Sequence, residues 1–172
     1  MSRKNIALAA AVFVAATVNA AHADYLRWSV EIEEDPFDNK GRLIMNYYDS
    51  ADQGLLLLCE QESDTVIFRV ATTYPTADGV TDRPINFGII VDKFESHLGF
   101  ARAGVLGDDL VGIDFELNDE SARRLLDEMK AGQNKIYIKL FDGDPIAAPL
   151  TGSTRAATQA IEYCLTSASL PD

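Results

Sequence analysis

Apolar and polar side chains alternate along several short runs of the chain, and residues that favour turns separate these runs. Successive side chains of an extended strand point to opposite faces, so the alternation predicts strands with one apolar face and one polar face. The apolar positions of the runs are Leu26, Trp28, Val30 and Ile32; Val66, Phe68 and Val70; Ile85, Phe87, Ile89 and Val91; Val111, Ile113, Phe115 and Leu117; and Ile136, Ile138 and Leu140.

Other segments extend this pattern of strands. Leu55 to Leu58 is apolar without interruption, which predicts a central strand covered on both faces. Arg42 to Tyr48 predicts a further strand, in the order of an antiparallel meander. Asp142-Gly143 predicts a tight hairpin turn between strands at 135–141 and 146–150. Residues 72–84 combine prolines and polar residues without periodicity, which predicts an exposed connection.

Two segments repeat their apolar residues at helical instead of strand spacing. Asn118 is placed to cap the first helix and Gly132 to end it, and Ser153 or Thr154 is the predicted N-cap of the second. Together the elements predict an α+β fold, with a mainly antiparallel β-sheet or β-sandwich and two helices packed on it. The apolar stripes are Ala122, Leu125, Leu126 and Met129 in the first helix, and Ala157, Ala160, Ile161 and Cys164 in the second.

The N-terminal residues have the features of an export signal. Arg3 and Lys4 precede an apolar stretch from Ile6 to Val18, and Ala21-His22-Ala23 matches the small-x-small pattern before a cleavage site. The stretch is shorter than the roughly 20 apolar residues that cross a membrane. We therefore expect residues 1–23 to be a cleaved signal peptide and residues 24–172 to be a single β-rich domain. The mature protein is expected in the periplasm, without membrane insertion.

The charge balance narrows the possible partners. The chain has 27 acidic and 15 basic residues. Cleavage of the signal peptide removes two basic residues and no acidic one. The formal net charge of the mature chain is then 13 minus 27, or −14. Nucleic acids and anionic lipids bind positive patches, so we expect neither as a partner. A protein partner is expected, and one alternative is an acidic inhibitor or ligand-binding module for a basic cell-wall hydrolase.

Cys59 and Cys164 are the two cysteines of the chain. Export to an oxidising compartment favours a disulfide between them, which would tie the C-terminal helix to a central strand. Such a bridge closes a loop of about 105 residues and stabilises the fold by roughly 4 to 5 kcal/mol. The alternative, a thiol nucleophile, needs a cation or a helix N-terminus to lower its pKa. Cys164 lies at the opposite end of its helix, so a structural disulfide is favoured.

Candidate catalytic residues are few. Once the signal peptide is removed, His97 is the remaining histidine, and a Ser-His-Asp triad would have to include it. No G-x-S-x-G pattern is present, so we expect His97 at the surface or on an edge strand. Asp114 and Glu116 share a strand face and are candidates for a glycosidase pair. The chain has one tryptophan and no aromatic-rich stretch to line a sugar groove, which disfavours a glycosidase. We expect no enzyme, no catalytic residue and no cofactor, and a hydrolase that uses Asp114, Glu116 or His97 is the least favoured alternative.

A metal site is not expected either. The segment from Glu33 to Gly41 is rich in carboxylates, but the sixth position counted from Asp35 is Lys40, where a calcium loop needs glycine. We interpret this segment as a solvated turn between two strands. The alternative is a weaker calcium contact near Asp35 to Gly41. One histidine and two oxidised cysteines do not supply the usual ligands of zinc.

The order of several segments resembles a known family. The segments are LLLLCEQESDTVIFRV, INFGIIVD, LNDESARRLLDEM, KIYIKLF and LTGSTRAATQAIEYC, between Leu55 and Cys164. This order resembles the VasI-like accessory proteins associated with type VI secretion, although the chain has no tryptophan after Asp92. Invasion-associated locus B-like proteins are a weaker resemblance. The likeness implies a non-enzymatic periplasmic accessory protein, linked to a secretion or envelope assembly, and neither family supplies catalytic residues to transfer.

Overall fold

The structure is a computed structural model that describes residues 25–34, 41–51, 53–60, 63, 65–73, 84–107, 110–140 and 143–165. Residues 1–23, predicted as the signal peptide, and 35–40, in the candidate calcium segment, lie outside this range. The strands are β1 (Ser29–Glu34), β2 (Gly41–Tyr48), β3 (Gly54–Glu60), β4 (Val66–Thr73), β5 (Ile85–Val91), β6 (His97–Gly107), β7 (Leu110–Leu117), β8 (Lys135–Leu140) and β9 (Ile146–Pro149). The helices are α1 (Asp119–Ala131) and α2 (Ser153–Cys164).

The strands of the described part form one sheet, shaped like half of a barrel, in the order β1-β2-β3-β4-β7-β6-β5-β8-β9. Each neighbouring pair is antiparallel. The predicted class is confirmed, and of its two forms the structure has the single sheet. Strands β8 and β9 pair as the predicted hairpin requires, and Asp142 of its predicted turn lies outside the described residues. No helix within the described ranges is long and apolar enough to cross a membrane.

Both helices pack on one face of the sheet, which we call the inner face. Helix α1 contacts β5 and β7, helix α2 contacts β1 and β2, and the two helices contact each other. The predicted stripe of α1 is fully buried, and small residues let α2 approach α1 closely. Near the middle of the core the rings of Phe87 and Phe115 stack with centroids 4.8 Å apart. The other face of the sheet, which carries no helix, is called the outer face.

The helix ends agree with the sequence in one case and differ in the other. Asn118 caps α1 as predicted, since its Oδ1 accepts a hydrogen bond of 2.9 Å from the backbone N–H of Ser121. The predicted N-cap of α2 is wrong, because Gly152 takes that position with φ of 86°, a left-handed conformation that glycine adopts readily. The hydroxyls of Ser153 and Thr154 donate instead to the carbonyl oxygens of Met129 and Lys130. They therefore join α2 to α1.

The first predicted strand begins three positions later than expected. Leu26 has φ of 61° and is exposed, so it does not continue the strand. Trp28 is buried, and its indole Nε1 donates to the carbonyl oxygen of Pro149 at 3.0 Å. These contacts dock the segment on the end of β9 before β1 begins at Ser29.

In β3 the apolar run has unequal faces. Leu55 and Leu57 are buried on the inner face, whereas Leu56 and Leu58 are only half-buried on the outer face. The expectation of full cover on both sides was therefore wrong. The outer face of the sheet keeps apolar surface in contact with solvent.

Strand β6 was not predicted. Its inward positions are His97 and small residues, and a Cβ placed on Gly99 would lie 2.5 Å from Cε2 of Phe115. The Phe115 ring occupies the space that a side chain at this position would need. The large apolar residues of β6, Leu98 and Phe100, point outward instead. The usual alternation of large apolar and polar residues is thus absent from this strand.

Candidate functional site

The predicted disulfide is present. It joins Cys59 in β3 to Cys164 at the end of α2, with the Cα atoms 5.9 Å apart. Cys59 is buried in the core, and neither cysteine is free. The bridge fixes the last helix to an interior strand, which is a structural role.

His97 lies in the core, and the expectation of a surface or edge-strand position was wrong. It is 4% exposed and begins β6, an interior strand of the sheet. Its Nε2 lies 2.7 Å from Oε2 of Glu128, which is itself buried on α1. The sequence gives no sign of this pairing, because the two residues are 31 positions apart.

The contacts of His97 indicate which ring nitrogen carries the hydrogen. Nη2 of Arg124 lies 3.1 Å from Nδ1 of His97, and a guanidinium can only donate, so Nδ1 is the acceptor. The ring proton is then on Nε2 and is donated to Glu128. Nε of Arg124 also lies 3.6 Å from Oε1 of Glu128, which balances the carboxylate charge. Both ring nitrogens are engaged and the ring is buried, so this arrangement anchors α1 to β6.

A cavity of about 460 Å³ lies beside this cluster, between α1 and the turn that follows β5. Its size is typical of small-molecule sites, which are mostly apolar with a few polar groups. Most of the residues around it are charged, with Arg123 and Arg124 beside Glu120, Asp127 and Glu128, although the surface that they expose to the cavity is mostly apolar. The positive and negative charges largely neutralise one another, so the charge of the lining does not indicate one class of ligand.

Asp114 and Glu116 both lie on the outer face of β7, as the sequence predicted, but they have different surroundings. The carboxylate of Asp114 accepts hydrogen bonds of 2.6 and 2.7 Å from Nε and Nη2 of Arg69. This bond raises the pKa of Arg69. Glu116 is exposed. Arg69 therefore pairs with both oxygens of Asp114, which gives this carboxylate a structural role in joining β4 to β7.

A smaller cavity of about 250 Å³ adjoins these carboxylates. Typical ligand pockets begin near 300 Å³, so this space suits one side chain better than a sugar. Its lining consists of Pro84, Phe100, Ala101, Arg102, Asp114 and Glu116.

The two most exposed apolar side chains of the sheet lie on the outer face, next to β5 and β8. Leu98 is 75% exposed and Phe100 is 69% exposed, both on β6. Ile90 and Tyr137 are directly opposite each other on β5 and β8 and are also exposed. We call these four residues the apolar patch.

The backbone keeps the apolar patch together. Leu98 lies opposite Gly88, and a Cβ placed on Gly88 would lie 3.1 Å from Cδ2 of Leu98. The side chain of Leu98 therefore lies over Gly88 of β5, and Ile90 is the diagonal neighbour of Leu98 on the same face. Sequence reasoning missed this surface, although Leu98 and Phe100 alternate with the small residues Gly99 and Ala101. That alternation of large and small residues was the available signal.

Possible metal ligands were compared for their arrangement in space. Within the described residues, no group of three or more histidine, cysteine, aspartate or glutamate side chains is arranged to hold a metal ion. The open question of a calcium contact concerns residues 35–40, outside those ranges.

Comparison of the chain with protein-family models, with curated proteins and with solved structures found no match.

Proposed function

We propose that this protein is an exported, non-enzymatic periplasmic accessory protein that acts by binding other proteins through the outer face of β5, β6 and β8. The apolar patch carries the proposal. Single exposed apolar residues are common on soluble proteins, but a contiguous group marks a contact surface. Phe100 and Tyr137 supply the aromatic area that is enriched in such contacts.

Other features support export and a link to the cell envelope. The N-terminal sequence has the pattern of a signal peptide, and the disulfide between Cys59 and Cys164 suits an oxidising compartment. The resemblance to VasI-like proteins associates the chain with a secretion or envelope assembly. In this role the disulfide-bonded fold acts as a rigid support for the outer face.

The experiment is photo-cross-linking in intact cells with a photoreactive residue at position 98. Discrete cross-linked products are expected, and the Phe100→Ser change should abolish them by removing apolar contact area. Val105 is the matched control, because it lies on the same strand and is 57% exposed but is not part of the apolar patch. If the products at position 105 equal those at position 98, or if Phe100→Ser leaves them intact, the proposal is wrong.

A second candidate is an acidic inhibitor or ligand-binding module for a basic cell-wall hydrolase, and its support is charge. The described residues include 15 of the 27 acidic and 11 of the 15 basic residues, so much of the acidity lies in segments outside them. Salt-sensitive binding to a basic hydrolase at the acidic residues would favour this candidate over contact through the apolar patch.

The hydrolase alternative depends on Asp114, Glu116 or His97. Any hydrolytic activity found in the purified chain would support it only if alanine at these positions removes that activity. An activity that survives all three changes eliminates it.

A further inference from the structure

The outer face of the sheet divides into two halves of opposite charge. Residues paired across neighbouring strands share a face, so the strand registers assign each side chain. The first half is formed by β1, β2, β3, β4 and β7, and the second by β5, β6, β8 and β9. The charged outer-face residues of the first half are Glu31, Glu33, Glu60, Asp114 and Glu116 with Arg42 and Arg69. Those of the second half are Arg102, Lys135 and Lys139.

The two halves balance each other. The first half carries five carboxylates and two arginines, a net charge of −3, and we call it the acidic half. The second half carries three cations, and the described residues of its four strands place no carboxylate on this face, so its net charge is +3. We call it the basic half. The charges of the described strand residues on the outer face therefore sum to zero, although the chain is strongly acidic.

Apolar side chains lie on both halves. The apolar patch belongs to the basic half. On the acidic half, Leu56 and Leu58 of β3 are half-buried, as are Ile44 of β2 and Ile67 of β4. A partner that covers the whole face would bury apolar surface on both halves and would have to match both charges.

This pattern excludes a uniformly charged partner surface. An anionic membrane would be attracted to the basic half and repelled by the acidic half. An evenly basic protein would be attracted to the acidic half and repelled by the basic half. The best match is a surface with the same two halves in exchanged positions. A second copy of this chain supplies that surface when a twofold axis runs between the two sheets, parallel to the strands. The acidic half of each copy then covers the basic half of the other, and the contact is isologous.

We propose that the mature protein forms a twofold dimer through its outer face, with the acidic half of each copy on the basic half of the other. This inference rests on the proposed function, because it names a second copy of the chain as a partner of the same face.

The test uses two charge-reversed variants of the mature chain and sedimentation equilibrium. Lys135→Glu with Lys139→Glu changes the net charge of the basic half from +3 to −1, so that both halves are acidic. Glu31→Lys with Glu60→Lys changes the net charge of the acidic half from −3 to +1, so that both halves are basic. Each variant alone is expected to dimerise about a hundredfold more weakly than the wild type, because like charges then face each other. An equimolar mixture of the two variants is expected to associate, since an acidic face then covers a basic one.

The control is Lys130→Glu with Arg155→Glu, two exposed positions on α1 and α2. This variant reverses two cations on the helical side of the molecule and should dimerise like the wild type. Added salt should weaken the wild-type dimer, because it screens the attraction between the acidic and basic halves.

Several results would overturn the dimer. A wild-type chain that stays monomeric up to about 1 mM contradicts it, as does a mixture of the two variants that does not associate. Sedimentation of a monomeric wild type with anionic phospholipid vesicles would point to a membrane instead. If the chain is monomeric but the cross-links at position 98 to another protein persist, the dimer is wrong and the proposed function stands. If the chain is monomeric and position 98 gives no cross-links, the dimer and the proposed function are both wrong.

Discussion

Nε2 of His97 and Oε2 of Glu128 lie 2.7 Å apart in the core, although one residue begins β6 and the other lies near the end of α1. This bond satisfies the buried polar atoms of both residues, with Arg124 at the solvent side. Within the described residues no buried side-chain nitrogen or oxygen lacks a hydrogen-bond partner. Removal of Glu128 would leave the Nε2–H group of His97 buried without an acceptor.

Glu128→Ala is therefore expected to lower the free energy of unfolding by about 1 to 3 kcal/mol, because the ring N–H of His97 loses its acceptor. Urea denaturation followed by circular dichroism measures the loss. Glu128→Gln should lose less, since its amide oxygen can still accept from Nε2. Glu120→Ala, an exposed change on the same helix, serves as the control, and an equal loss there would show that the buried bond is not the cause.

The disulfide is expected to be the largest single contribution to stability. Cys59→Ala with Cys164→Ala should lower the free energy of unfolding by at most roughly 4 to 5 kcal/mol, because the unfolded chain gains conformational freedom. Reduction of the wild type should have the same effect in urea denaturation, and reductant should not change the double variant. Titratable thiols in the denatured, unreduced wild type would contradict the disulfide.

Arg69 and Asp114 are expected to stabilise each other measurably. Their bond has two short contacts and is partly buried, with side-chain exposures of 25% and 29%. A double-mutant cycle with alanine at each position should give a coupling of about 1 kcal/mol. The matched control is Arg42 with Glu33, a pair with one short contact and exposures of 47% and 54%, where a coupling near zero is expected. Equal couplings would show that burial and the second contact contribute nothing.

Asp92 predicts a dependence of stability on pH. Its pKa is lowered because the carboxylate accepts hydrogen bonds from the backbone N–H groups of Lys135, Gln133 and Asn134. The folded pKa lies below the unfolded value of about 3.9, so this stabilisation is present above about pH 4 and is lost as the pH falls through the folded pKa.

Asp92→Asn isolates this carboxylate, because asparagine tolerates the φ of 48° at this position. The variant should be less stable than the wild type near neutral pH, and the difference should narrow as the pH falls below about 4. Urea midpoints measured across this range test the prediction. A difference that stays constant with pH would mean that the charge of Asp92 is not involved.

The elements that the sequence predicted are those in which large apolar residues mark one face. Phe68, Ile89 and Ile113 belong to runs in which a buried apolar residue recurs at every second position, so their strands were predicted near their observed positions. The stripe of α1 and the cap at Asn118 are equally local signals. The cysteine pair was predictable because the chain has only two cysteines and an expected oxidising compartment.

The failures have a common physical cause, which is that distant residues set the local environment. Gly99 faces inward because the ring of Phe115 fills the space beside it, so β6 carries its large side chains outward. His97 is buried because Glu128 and Arg124 reach it from α1. The two charged halves of the outer face depend on the strand order, which short sequence patterns do not define.

The strand order also constrains the sequence of events during folding. Strands β1 to β4 are consecutive neighbours, and each can pair with the one before it as soon as both exist. The other edge of β4 pairs with β7, whose residues come almost forty positions later. Until that segment arrives, β4 presents an open row of backbone N–H and C=O groups, which is the type of edge that recruits foreign strands. The risk of aggregation during folding therefore depends on how long the edge of β4 stays unpaired before β7 binds to it.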